Sequence, residues 1–324
     1  MTTARTTSSD HANGPPPDVD EPPLDAAGFR RWAQAYFGAK SRHDLDALAG
    51  LFDPEIGYED AVLCRRTTGA GRMRATYQAI FASAATAAEC TAATAAGSVA
   101  EASAGSTLTW AAGGAGGGAV QFVNGAGLFG APMRVIAVIE LECGRVGRQR
   151  DYWDGRSLPA PALADLRAAY PAHLRPAALA AAQRSHRDPA LGKAAAAYRA
   201  AIESGASIAP LLTDAAVLED VARGVRVETR DAVAGHLARW SDRLPYGRGA
   251  REANVVGGAG GGAWEWTASP PFAETVGAGV TAVRLAPDGR IAELVVGWDT
   301  SRLSSRQRAE LTARTEPIER EDRR

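Results

Sequence analysis

The sequence predicts a tandem of two α+β domains, each with helices packed on a mostly antiparallel sheet. Three observations carry that expectation: an internal repeat, the same order of elements in both copies, and a length that suits two cores. The chain has 324 residues, and single domains usually run to roughly 100–200 residues. Four anchors recur in one order, which is the mark of a repeat. Leu51 to Asp60 aligns with Leu211 to Asp220, and both segments end in Glu-Asp. GGAGGG recurs at Gly113 and Gly257, Gly144-Arg145-Val146 matches Gly289-Arg290-Ile291, and Trp153-Asp154 matches Trp298-Asp299. The spacing between copies falls from about 160 to about 144 residues after the first anchor, so copy one carries about 16 extra residues between Asp60 and Gly113.

The elements follow in order. Residues 1–24 are polar and rich in Pro, Ser and Thr and are expected to be a disordered leader. Copy one, residues 25–158, opens on a helix whose Phe29, Trp32, Ala33, Tyr36 and Phe37 share one face, with Asp25 placed to cap it. A short helix from Asp44 to Leu51 comes next. A strand from Ile56 to Glu59 follows Asp53-Pro54, and a third helix is expected from Gly71 to Ala84. The remainder is punctuated by glycine and alternates in hydropathy, as in Arg134 to Glu142, which reads as antiparallel strands joined by tight turns at Gly144-Arg145 and Pro287 to Arg290. Helices first and a meander afterwards define α+β rather than βαβ. An Ala-rich segment, 159–187, reads as a helical linker on the surface. Copy two spans 188–303, and 304–324 form a charged tail.

Composition excludes several classes of function. Basic and acidic residues number 36 and 37, for a net charge of −1, so no electrostatic footprint for nucleic acid or an anionic membrane exists. No apolar run approaches the roughly 20 residues that span a bilayer, and the first residues lack the apolar core of a secretory signal. The three cysteines form no CxxC pair, in keeping with a reducing cytoplasm. The five histidines show no HxH or HExxH spacing, so no metal or other cofactor is expected. GGAGGG lacks the Lys-Ser/Thr of a phosphate loop and reads as a β-turn or bulge.

The stretch from Tyr36 through Asp60 to Trp153-Asp154, and again from Tyr198 through Asp220 to Trp298-Asp299, resembles the nuclear transport factor 2-like superfamily. That superfamily includes SnoaL-like polyketide cyclases, ketosteroid isomerase and limonene epoxide hydrolase. Its tandem form resembles the fused epoxide hydrolase/cyclases of polyether biosynthesis. The resemblance implies cone-shaped domains, each with three helices on a curved sheet, and a carboxylate in a deep apolar pocket where desolvation raises its pKa. It places the base on Asp60 and Asp220 and an assisting phenol on Tyr36 and Tyr198. The protonated Asp of ketosteroid isomerase has no counterpart, because Ala137 and Thr281 occupy that place. The Arg-x-Asp strand pair of limonene epoxide hydrolase is also missing at Phe122-Val123-Asn124. Its final-strand Asp does resemble Asp151, where copy two has Val296. The fused enzymes pair the base with an acid that matches Glu252 in copy two. In copy one the candidate is Glu89, although the repeat itself aligns Leu108 with Glu252.

These residues also have plainer roles open to them. Asp60 and Asp220 can cap turns, Tyr36 and Tyr198 can be core aromatics, Glu252 can pair with Arg251, and Asp154 and Asp299 can terminate the last strands. The expected function is a cofactor-free acid/base enzyme acting on an apolar small molecule by ring closure, epoxide opening or isomerisation. The alternative is a non-catalytic binding or interaction module of the same fold. The expected assembly is an intramolecular pseudo-dimer of the two copies, itself able to form a homo-oligomer. A deep apolar cavity would favour catalysis, and one filled by Trp110, Trp264 or Trp266 would favour a scaffold.

Overall fold

In a computed structural model, residues 24–92, 105–168 and 188–312 are described. The expected leader, most of the linker and the end of the tail lie outside the described residues.

Copy one begins with α1 (Ala26–Ser41), whose first turn is held by Asp25 accepting a hydrogen bond of 2.6 Å from the Gly28 N–H. Its predicted apolar face is buried in full. The short α2 (Leu45–Gly50) is capped by Asp44 through the Ala47 N–H. Strand β1 (Phe52–Asp60) starts earlier than the sequence suggests, because Pro54 is absorbed where the pairing register shifts between Phe52 and Gly57. A proline has no N–H to give a ladder, and such an irregularity asks for none. Next come β2 (Arg65–Thr68) and α3 (Ala70–Ala92), the latter longer than expected. They are followed by β3 (Ser106–Gly114), β4 (Gly117–Asn124), a single turn α4 (Ala126–Phe129), β5 (Met133–Glu142) and β6 (Arg145–Trp153). The sheet order is β2-β1-β6-β5-β4-β3, antiparallel except for the parallel β1–β6 pair. Helices cover one face. Then α5 (Ala160–Ala168) leaves the last strand. It is not simply a surface linker, because Leu163 joins the core of copy one.

Copy two repeats the plan with α6 (Pro189–Ser204), β7 (Leu212–Asp220), β8 (Val225–Glu228), α7 (Arg230–Trp240) and strands β9 (Arg251–Gly258), β10 (Gly261–Thr267), β11 (Ala278–Leu285) and β12 (Ile291–Trp298). Its order, β8-β7-β12-β11-β10-β9, is the same. In place of α2 it has one 3-10 turn before β7. The last element, α8 (Ser305–Thr312), lays Leu311 against the core of copy two.

The uncovered sheet faces meet. Trp110, Ile136, Val138 and Tyr152 from one sheet form a single buried cluster with Val256, Val280, Ala282 and Val295 from the other. The GGAGGG segments are the β3–β4 and β9–β10 hairpins, and they touch: a Cβ on Gly114 would lie 2.9 Å from the Gly258 Cα. Glycine is required there by the close approach of two backbones. A charged knot crosses the same contact. Arg148 donates to Glu140 at 2.7 Å and to Glu265 at 3.0 Å, while Tyr152 donates to Glu265 at 2.7 Å. Burial pushes the Glu265 carboxyl up, but the charges of Arg148 and Arg150 and the hydrogen bonds from Arg148 and Asn254 draw it down to about 2. The strand-terminal aspartates reach across reciprocally: Asp154 accepts from Thr300 and Asp299 from the Gly155 N–H.

Candidate functional site

Adjacent strands of copy one bring two carboxylates together. Asp60 ends β1, Asp151 lies in β6, and the two are register partners in the parallel pair. Side chains of paired residues share a face, so both point toward the helices. Both line a cavity of about 130 Å³ whose walls include Met73, Ile80, Phe129 and Val135, and which Leu166 of α5 helps to close. Its size is below the roughly 300–1,000 Å³ of pockets that hold drug-sized ligands, so the molecule it fits is compact.

Asp60 is held tightly. One oxygen accepts from the N–H groups of Val62 and Leu63 at 2.9 and 2.8 Å, and the other accepts from the Trp153 indole at 3.0 Å. With 6% of its surface exposed, burial outweighs these donors and raises its carboxyl to about 6. Asp151 accepts from Tyr58 at 3.0 Å and from the Gln149 amide at 2.8 Å. Burial raises its pKa, and the positive charge of Lys40 opposes that rise. Behind this layer the Tyr36 hydroxyl donates to Gln149 at 2.9 Å and meets the Tyr77 hydroxyl at 2.7 Å. Tyr36 therefore reaches the carboxylate through Gln149 and does not itself line the cavity.

Lys40, Tyr58, Tyr77, Asn124 and Gln149 did not emerge from the sequence reading. Two of them carried a usable signal: Tyr58 and Gln149 sit two residues before Asp60 and Asp151, and strand alternation puts such pairs on one face. Lys40 projects from the last turn of α1 with 8% of its surface exposed, and burial brings its ammonium down to about 8.

Copy two keeps the carboxylate but not the site. Asp220 is fully buried, with 0% exposed. It accepts from Trp298 and Tyr246, each at 3.0 Å, and lies 3.5 Å from the Arg223 guanidinium. Tyr198 packs on Trp264 with ring centroids 5.3 Å apart. Register places Leu218, Leu294 and Val296 where copy one has Tyr58, Gln149 and Asp151. Ile202, Leu237 and Ala268 replace Lys40, Tyr77 and Asn124, and Trp264 and Trp266 fill the interior. A cavity of about 250 Å³ exists in copy two near α8, but neither Asp220 nor Tyr198 lines it. Glu252 sits on the edge strand β9 opposite Trp266, four strands from Asp220 in sheet order. Glu89 falls in the last turns of α3, where its side chain is outside the described residues. Trp110 faces the other copy and not a cavity.

No protein-family model matches this sequence, and no curated protein matches it. Solved structures do, each over about the span of one copy. A SnoaL-like protein of unknown function from Burkholderia thailandensis is 12% identical, covering 41% of this chain and 98% of its own, with a TM-score of 0.32. A putative ketosteroid isomerase from Kribbella flavida is 19% identical over 40% and 80% of the two chains, with a TM-score of 0.30. An LEH-like epoxide hydrolase from M. tuberculosis is 16% identical over 44% and 95%, with a TM-score of 0.30. These are likenesses over one copy at a time, and the chain's own architecture is a tandem of two α+β units with the same six-stranded sheet order.

Proposed function

We propose that copy one is an acid/base catalytic domain for a compact, largely apolar molecule and that copy two is its scaffold. The observation that carries this reading is the pair of register-matched carboxylates, Asp60 and Asp151, facing one apolar cavity. Neighbouring carboxyls whose environments differ divide the roles of base and acid. Asp151, oriented by Tyr58 and Gln149, takes the proton. Asp60, whose carboxyl titrates near 6, holds or returns one. Opening an epoxide, closing a ring and shifting a double bond all need these two acts and no cofactor. Asp60 also fastens the turn after β1, a job Asp220 performs in a copy with no cavity around it. Asp151 has no such counterpart, which singles it out as the base.

The test uses 5-nitrobenzisoxazole, a compact aromatic whose ring opens when a base removes one C–H proton. The wild-type protein is expected to open it with saturation kinetics, and Asp151→Asn to lower kcat/KM by about a hundredfold or more. The binding-module reading is favoured by how fully the buried polar groups satisfy one another. It predicts saturable binding of the probe with no turnover.

A further inference from the structure

Of the 36 basic residues in this chain only Lys40 and Lys193 are lysine. Every other cation is arginine, whose guanidinium stays charged and is a poor nucleophile. One of the two lysines, Lys40, lines the cavity of copy one, where the other cation is Arg65. Lys193, on α6, is exposed.

The setting of Lys40 differs from that of a structural cation. Among the described residues no carboxylate forms an ion pair with it. Among the described residues its ammonium makes one hydrogen bond, a long one of 3.3 Å to the Asn124 side-chain oxygen, which also accepts from Ser106 at 2.6 Å. Its amine lies 4.2 Å from the centre of the Phe122 ring, 5.5 Å from Phe37 and 5.9 Å from Tyr77. The rings attract the ammonium, but burial with one weak acceptor leaves it poorly solvated, which favours the neutral amine. Asp151 is the charged group that acts on it from the facing strand, and Asp60 lines the same cavity.

We propose that Lys40 is a covalent nucleophile for aldehydes and ketones, so that the compact substrate class of copy one is a carbonyl compound. This rests on the reading of that cavity as a small-molecule site. The neutral Lys40 Nζ adds to the carbonyl carbon and forms the C–N bond. The π pair moves to oxygen, which takes up the proton that the nitrogen releases. A carboxyl of the pair then protonates the hydroxyl, which leaves as water while the nitrogen lone pair closes the C=N bond of an iminium ion. Asp151 removes a proton from the adjacent carbon, and the C–H electrons flow to the iminium nitrogen as an enamine. Reprotonation at the same or a conjugated carbon and addition of water return a carbonyl compound and free Lys40. Atoms and electrons balance with water and protons alone.

The experiment treats the whole protein with cyclohexanone and cyanoborohydride, which reduces iminium ions to stable amines, and maps the alkylated peptides over time. Lys40 is expected to be alkylated at least tenfold faster than Lys193 at neutral pH, and Lys40→Arg to lose that label while Lys193 reacts as before. Equal or faster labelling of Lys193 overturns the proposal. If 5-nitrobenzisoxazole is still opened in that case, the acid/base reading stands and only the carbonyl chemistry falls. If the probe is neither bound nor opened and Lys40 is not labelled, both fall together.

Discussion

The two copies share a strand order and an Asp–Trp hydrogen bond of 3.0 Å at the end of the first strand, yet in one the aspartate lines a cavity and in the other it does not. The difference lies in six positions, where Lys40, Tyr58, Tyr77, Asn124, Gln149 and Asp151 of copy one face Ile202, Leu218, Leu237, Ala268, Leu294 and Val296 of copy two. What both copies retain is structural: the carboxylate that gathers the turn after β1 or β7 and receives the indole of the last strand. What copy one alone carries is the polar set around Asp151. Copy two fills the same positions with apolar side chains, and buried polar groups need partners where apolar ones do not.

Copy two should therefore be the more sensitive to loss of volume. Trp266, buried and bonded to Thr281 at 3.1 Å, is expected on mutation to Ala to lower unfolding stability by about 3–5 kcal/mol in a denaturant titration. Its counterpart Phe122→Ala should remove less, because it deletes a smaller buried ring. An equal or greater loss at Phe122 would break the contrast.

The shared aspartates sharpen it further. Asp220→Asn leaves Arg223 buried without its anion and should destabilise the protein by about 3 kcal/mol. Asp60 has no such partner, and its folded carboxyl lies at about 6 against an ordinary 3.8. A raised pKa means that the folded state holds its proton more firmly. The resulting stability is present in full below about pH 4 and is lost as pH rises through about 6, an effect of about 3 kcal/mol before other groups are added. Comparing wild-type protein with Asp60→Asn across that interval isolates the slope. A difference that is flat or of opposite sign contradicts the burial of Asp60. A smaller effect is expected behind the cavity, where Tyr36→Phe leaves Gln149 short of one donor and costs about 1 kcal/mol. The same change at Tyr198, which packs on Trp264, should be milder still.

The sequence revealed the repeat, the buried face of α1, the Asp25 cap and the alignments of Ala137 with Thr281 and of Asp151 with Val296, because these depend on local pattern and register. It did not reveal Lys40 and Tyr77 as partners of Asp151. They come from two helices, and only the packing of α1 and α3 on the sheet brings them to one cavity. Pro54 misled the strand boundary because a break in pairing register has no local signature. Tyr36 and Tyr198 looked equivalent for the same reason. Whether a core phenol stands near a cavity depends on the volume of its neighbours, and Trp264 and Trp266 take up that volume in copy two.

The central claim is that one copy acts and the other supports it. The direct measurement is the steady-state opening of 5-nitrobenzisoxazole by Asp151→Asn and Asp220→Asn, with each rate referred to the folded fraction. The account predicts a loss of about a hundredfold or more for Asp151→Asn and an unchanged rate per folded molecule for Asp220→Asn. Loss in Asp220→Asn with turnover preserved in Asp151→Asn would contradict it.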